Sequence, residues 1–319
     1  MKQFLKILVG FITVVAICAV CVDFAITRGL RNYTDYVSES WNDLRDTSYN
    51  PDMLILGSCQ ALCNYDPYVF DSVLGVESYV YGVYNMSLPA EVCAWQLYKK
   101  YHPDHLPKYV LWSLDYADLD YREVKNSVVA DQFLPLVYDK EVRDFLLTYG
   151  GYKWYEIYIP CYRYYGFQKR IKSRVLNQWQ DKATKTAKQR AKYKGHEILH
   201  GSYEFSHSDL PDNNYTKVQQ DLVVMLDSAI KDMQNQGTQV VLVVSPLGNE
   251  LASLIANITD VFVVYDMMSK KHEISYLNYY ESAMSQDTSL FVTPPHMNEC
   301  GAIRYTAIVA DTLNSIWKK

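Results

Sequence analysis

Gln239-Val-Val-Leu-Val-Val-Ser245 decides the fold. Its five central residues are all apolar and mostly β-branched, and Pro246 stops the run. An apolar residue at every position, over a length too short for a helix, describes a strand buried on both faces, as parallel strands are. Upstream, Lys217 to Gln236 places Val218, Leu222, Met225, Leu226 and Ile230 on one helical face, and Gly237 ends it. Further out, Asp52–Leu56, Ser78–Tyr84 and Lys108–Asp115 read as strands, with Ile274–Leu277 as a weaker fifth. Helical spacing recurs over 90–101, 249–258 and 301–317. Strands alternating with helices predict a three-layer α/β/α domain around a mostly parallel sheet of about five strands. The rhythm breaks between Ala117 and Tyr215, which reads as a helical insertion. The expected organisation is a membrane segment over 1–27, a linker over 28–50, and a domain over 51–319 with its insertion at 117–215.

Composition bounds the function classes. In 319 residues, apolar types make up 49% and charged types 21%, which excludes disorder and coiled-coil rods. The net charge of −5 argues against a nucleic-acid binder, and none is expected as a partner. Of seven cysteines, Cys18 and Cys21 fall in the N-terminal apolar run. The other five lack zinc-type spacing and read as small buried hydrophobes.

Lys2 and Lys6 precede sixteen uncharged residues, Ile7 to Val22, which Asp23 ends. This is a signal anchor or a cleaved signal peptide. No small-residue cleavage site follows cleanly, and the anchor reading is preferred. The lysines put the N-terminus inside and the remainder outside.

Ser58 follows the first strand in Leu56-Gly57-Ser58-Cys59-Gln60, at the carboxyl end where open parallel sheets build their sites. His296 stands in Pro294-Pro295-His296-Met297-Asn298-Glu299-Cys300-Gly301-Ala302, just before the closing helix. The Gly-Ser strand end continues through Ala61, Leu62, Tyr65 and Pro67. Tyr84-Asn85 follows the second strand, and the third reads Pro-Lys-Tyr-Val-Leu-Trp-Ser-Leu-Asp. With the short anchor, this order resembles the SGNH/GDSL hydrolase superfamily, and within it the membrane-anchored, exported branch of Gram-negative gut bacteria. The likeness covers about residues 1–116 and 215–319.

The resemblance implies a serine esterase or acyltransferase without a cofactor, acting on O-acyl groups of cell-envelope glycan or polysaccharide. It implies an inner-membrane anchor with the domain in the periplasm. Ser58 would be the nucleophile and His296 the base, with the Ser58 N–H and Asn85 as oxyanion donors. The family's Asp, three residues before the histidine, is here Thr293. Three alternatives follow: a Ser–His dyad, an acid from elsewhere such as Asp287, or a scaffold that binds glycan or a partner complex without catalysis.

A rival motif is His196-Glu197-Ile198-Leu199-His200, which spells H-E-x-x-H. On a helix, His196 and His200 would share a face for zinc, with Glu197 as base. Gly195 and Gly201 flank it, and a zinc peptidase is the least favoured reading.

From Phe167 to Gly195 there are ten Lys or Arg against one acid, with apolar residues every fourth position. One basic amphipathic helix over 168–195 is expected, either solvated or in contact with an anionic surface. Just upstream, eight Tyr or Trp crowd 149–165, as in an interfacial belt or a sugar-stacking face.

Overall fold

The structure is a computed structural model that describes residues 1–32, 36–84, 86–120, 124–126, 130–177, 188, 192–202 and 216–317. The chain forms two compact units, Met1–Asn42 with Glu123–Lys188, and Asp43–Arg122 with Gln189–Lys319.

The larger unit carries the sheet. Strands β1 (Met53–Gly57), β2 (Ser78–Gly82), β3 (Tyr109–Leu114), β4 (Gln239–Val244) and β5 (Ser275–Asn278) run parallel in the order β2-β1-β3-β4-β5. All five strands called from sequence are present, offset by at most two residues. One face packs against α3 (Cys59–Asn64), α4 (Pro67–Leu74) and the closing helix α12 (Glu299–Trp317). There Met53, Ile55, Val80, Leu111 and Val241 meet Tyr65, Phe70, Tyr305 and Val309 in a solvent-free core. The other face is covered by α5 (Leu88–Tyr101), α9 (Gln220–Asn235) and α11 (Ile258–His272). Trp95 Nε1 and Lys99 Nζ, both of α5, each reach Asp232 of α9 at 2.8 Å. This is the expected three-layer α/β/α arrangement. From β1 the chain pairs β2 on one side and then β3 on the other, so the topological switch lies between β1 and β3.

The helix expected over 249–258 is a single turn, α10 (Asn249–Ala252), and the long helix is α11, which sequence reading passed over. The basic segment ends differently as well. Its described helix is α8 (Gln168–Asn177), and Tyr193–Gly195 forms a turn with positive φ at Lys194 and Gly195. In that turn the Lys194 carbonyl accepts from Val80 N, against the outer edge of β2. The helix therefore does not reach 195, and most of 178–191, including Lys185, lies outside the described residues.

The smaller unit begins with α1 (Lys2–Arg31), one helix long and apolar enough to cross a membrane, with a mean hydropathy of 2.7 over its best window. The stretch expected as a linker, 28–50, holds the end of α1 and α2 (Tyr36–Asp43). Trp41 of α2 donates from Nε1 to Gln132 Oε1 at 2.9 Å, and its ring meets Phe133 edge-on. Helices α6 (Lys140–Thr148), α7 (Trp154–Tyr158) and α8 complete the unit, joined by a 3-10 turn at Tyr162–Tyr164. A buried polar knot ties that turn to α1. Asp23 accepts from Arg163 Nη2 at 2.6 Å, Cys161 N at 2.7 Å and Tyr138 OH at 2.9 Å.

Candidate active site

Gly57 and Gly82 let Ser58 sit where it does. A Cβ on Gly57 would stand 2.5 Å from the Ser113 carbonyl oxygen. One on Gly82 would stand 2.6 Å from Leu62 N and 2.8 Å from Ser58 O. Only glycine at both strand ends lets β3 and the first turn of α3 close around the end of β1. Ser58 occupies the N-cap position of α3, yet its side chain makes no cap hydrogen bond. The hydroxyl is buried and has no hydrogen-bond partner among the described residues. A serine serving only as a helix cap would have spent that oxygen on a backbone N–H.

His296 is delivered by a hairpin. Strands β6 (Phe291–Thr293) and β7 (His296–Met297) pair antiparallel across Pro294-Pro295, with Thr293 opposite His296. The two prolines form the turn, so Thr293 Oγ1 stands 2.7 Å from His296 Nδ1. His296 Nε2 is buried and has no partner among the described residues. Burial pushes the imidazole down to about 4, because the charged form loses its water. The Tyr84 ring meets the imidazole edge-on at 6.0 Å.

Helix α3 joins the two groups. Ser58 leads into it, and its last residue, Asn64, grips the histidine hairpin. Asn64 Nδ2 donates to Pro295 O at 3.0 Å, and Asn64 Oδ1 accepts from Met297 N at 2.8 Å. Asn64 therefore holds the backbone on both sides of His296 through bonds that do not involve the ring.

Asp287 is occupied elsewhere. Its carboxylate accepts from Ser289 N at 3.2 Å and Ser289 Oγ at 2.5 Å, and faces Arg304 at 3.9 Å. Of the two residues considered as the Nδ1 partner, Thr293 makes the contact. Asn85 lies outside the described residues.

Residues 196–200 form no helix, so His196 and His200 do not share a helical face. The His196 ring is buried with Nε2 3.3 Å from Cys63 O, whereas His200 is exposed beside Glu299. Among the described residues, no group of three His, Cys, Asp or Glu side chains is arranged to hold a metal.

Sequence reading missed a carboxyl cluster beside the switch point. Gln60 Nε2 of α3 donates to Asp115 Oδ2 at 2.8 Å, just beyond β3. Asp118 Oδ2 accepts from Asp115 N at 2.5 Å, and Glu91 Oε2 accepts from Trp112 Nε1 at 2.7 Å. Burial pushes Glu91 up to about 8 and Asp115 up to about 6. Burial, then the neighbouring Glu91 and Asp115 charges, hold Asp118 well above the usual carboxylate range. Asp115 could have been nominated by position, as an acid at the carboxyl end of a strand flanking the switch. Asn64 and Gln60 carried no sequence signal.

No protein-family model matches the chain, and no curated protein matches it. Among solved structures, the crystal structure of a "putative acylhydrolase" from Bacteroides fragilis aligns at a TM-score of 0.37 and 9% identity, over 82% of this chain and 87% of that one. A likeness this distant transfers neither residues nor chemistry.

Proposed function

We propose that the chain is a membrane-anchored serine esterase or acyltransferase of SGNH type, acting on O-acyl groups of cell-envelope glycan. The observation that carries this reading is the pair of buried, unpartnered reactive atoms, Ser58 Oγ and His296 Nε2, at groups linked by one short helix. Buried polar atoms are rarely left unsatisfied, and those that are often serve chemistry.

Nδ1–H of His296 donates to Thr293 Oγ1, which leaves the Nε2 lone pair as the base. For Nε2 to take the Ser58 proton as Oγ attacks the ester carbonyl, the two groups must first close a hydrogen bond that neither atom makes in this structure. The tetrahedral oxyanion is met by the Ser58 N–H. Collapse expels the glycan alkoxide, which takes the proton from Nε2, and leaves Ser58 acylated. Water or an acceptor hydroxyl then repeats the sequence in reverse, giving hydrolysis or transfer. Thr293 orients the ring but carries no charge to steady the imidazolium. The Ser58 hydroxyl is covered, so acylation requires its cover to open.

Anchoring is supported by the knot at Asp23. Removal of α1 as a signal peptide would leave Arg163 buried without its carboxylate. Lys2 and Lys6 ahead of the apolar run support a cytoplasmic N-terminus and a periplasmic domain.

Thr293 in place of a carboxylate favours a second reading, a non-catalytic scaffold that binds glycan or a partner complex. Labelling of the full chain in detergent with a fluorophosphonate separates the two. The esterase reading expects labelling that Ser58→Ala removes and His296→Ala slows strongly. An unlabelled, folded wild type gives the scaffold reading precedence.

A further inference from the structure

The unit Met1–Asn42 with Glu123–Lys188 contains a cavity of 610 Å³ next to the end of the apolar run of α1. Its walls are Ile26 of α1, Tyr162 and Tyr165 around the 3-10 turn, and Ile171, Val175 and Leu176 of α8. Ile26 lies less than one helical turn beyond Asp23, the residue that ends the uncharged stretch. Two attachments frame the space. On one side, Arg163 and Tyr164 bind Asp23 and Thr27. On the other, α8 crosses α1 at Gly29, where a Cβ would touch the Val175 methyls at 3.2 Å.

The lining excludes a sugar. Pyranose hydroxyls need partners, and apart from Gln168, Lys172 and tyrosine hydroxyls the side chains here are apolar. The volume lies within the range of pockets that enclose a ligand of drug size. Leu176 and Tyr165 are 64% and 78% exposed, so the mouth presents apolar surface that water would leave uncompensated.

That surface is continuous with two others. One is the exposed apolar side of α1 from Phe4 to Phe24. The second is a run of rings, Trp154 on Tyr155 at 5.8 Å, Tyr155 on Tyr162 at 5.7 Å, and Tyr162 on Tyr165 at 6.4 Å. Amphipathic rings collect at the level of lipid headgroups, where this end of the span would stand. Arg174 of α8 is held by Asp131 at 2.6 Å, whereas Lys172 is exposed at the cavity wall.

We propose that this cavity takes one acyl chain of an anionic phospholipid from the membrane that α1 spans, with the Lys172 ammonium on its phosphate. The proposal rests on the retained-anchor reading. The site would fix the depth of the chain at the interface and add a second hold to the single helix.

The test uses the full chain in phosphatidylcholine nanodiscs, doped in separate arms with diazirine-acyl phosphatidylglycerol or diazirine-acyl phosphatidylcholine. Cross-links are mapped by mass spectrometry. The phosphatidylglycerol probe should label 160–176 preferentially, and unlabelled phosphatidylglycerol should compete it away. Leu176→Trp fills the mouth and should cut labelling at 160–176 about tenfold, while labelling along residues 4–22 stays unchanged. Lys172→Glu should reduce the phosphatidylglycerol signal to that of phosphatidylcholine. Both side chains are exposed, so neither change threatens the fold. Labelling confined to residues 4–22, or insensitive to Leu176→Trp, overturns the proposal. Equal labelling by both probes overturns the anionic headgroup. An intact mass showing loss of α1 would sink the anchor reading itself, which separates the two failures.

Discussion

At the scale of single residues, the proposed chemistry turns on the threonine beside the histidine. A hydroxyl 2.7 Å from Nδ1 fixes the ring, and burial keeps the imidazole neutral down to about pH 4. An esterase working this way should hold its activity to unusually low pH, with an acid limb near 4. Thr293→Asp puts a carboxylate at the same atom. It should raise the histidine, move the acid limb upward, and increase kcat on an acetyl ester. The loss of an orienting Asp can cost ~10⁴-fold in turnover, which bounds the gain. Unchanged kcat together with an unmoved acid limb would remove His296 from the mechanism. Glu91 offers a separate residue-scale test. Folded Glu91 keeps its proton up to about 8, whereas an unfolded glutamate releases it near 4.5. The folded state therefore binds the extra proton across that window and loses stability as pH rises through it. His296 acts in the opposite sense, but only between about 4 and 6.5. From pH 6.5 to 8 the sheet-bearing unit should weaken, as read by the denaturant dependence of hydrogen exchange in β3. Glu91→Gln, which keeps the acceptor for Trp112, should flatten that slope.

At the scale of elements, the site depends on two strand ends and one short helix. Asn64→Ala removes both bonds to the histidine hairpin while leaving Ser58, Thr293 and His296 in place. Turnover should fall by ten- to a hundred-fold, roughly the cost of a misplaced base. A stability loss of about 1–3 kcal/mol, the ordinary cost of two buried hydrogen bonds, would accompany it. A variant with full turnover would show that the hairpin needs no clamp. The strands were legible because a parallel strand covered on both faces is a continuous apolar run, as 240–244 is. Helix α11 was not, because Val261-Phe-Val-Val264 carries the β-branched composition of a strand and is helical through its packing. Ser58 and His296 could be nominated by their places beside a strand end and a closing helix. Asn64 could not, since its role exists only where residue 64 meets residues 295–297.

At the scale of the whole molecule, the question is whether α1 remains part of the mature chain. Its apolar length alone fits an anchor and a removable signal equally. The ion pair beyond it favours the proposed anchor. Arg163 and Asp23 side chains are 3% and 6% exposed, and Thr27 and Tyr164 complete the same knot. Breaking a buried pair from one side costs about 3–5 kcal/mol, because the surviving charge stays in a poor dielectric. A protein that discarded α1 would carry that cost in every mature copy. Chain extracted from membranes should therefore show the full 37.0 kDa by intact mass. Asp23→Ala should lower the unfolding midpoint of the smaller unit. Replacing both partners, Asp23→Leu with Arg163→Met, should recover most of that loss, since an apolar pair leaves no charge stranded. A mature N-terminus beyond Ala25, or an Asp23→Ala chain as stable as the parent, would mean that the knot does not hold α1 in place.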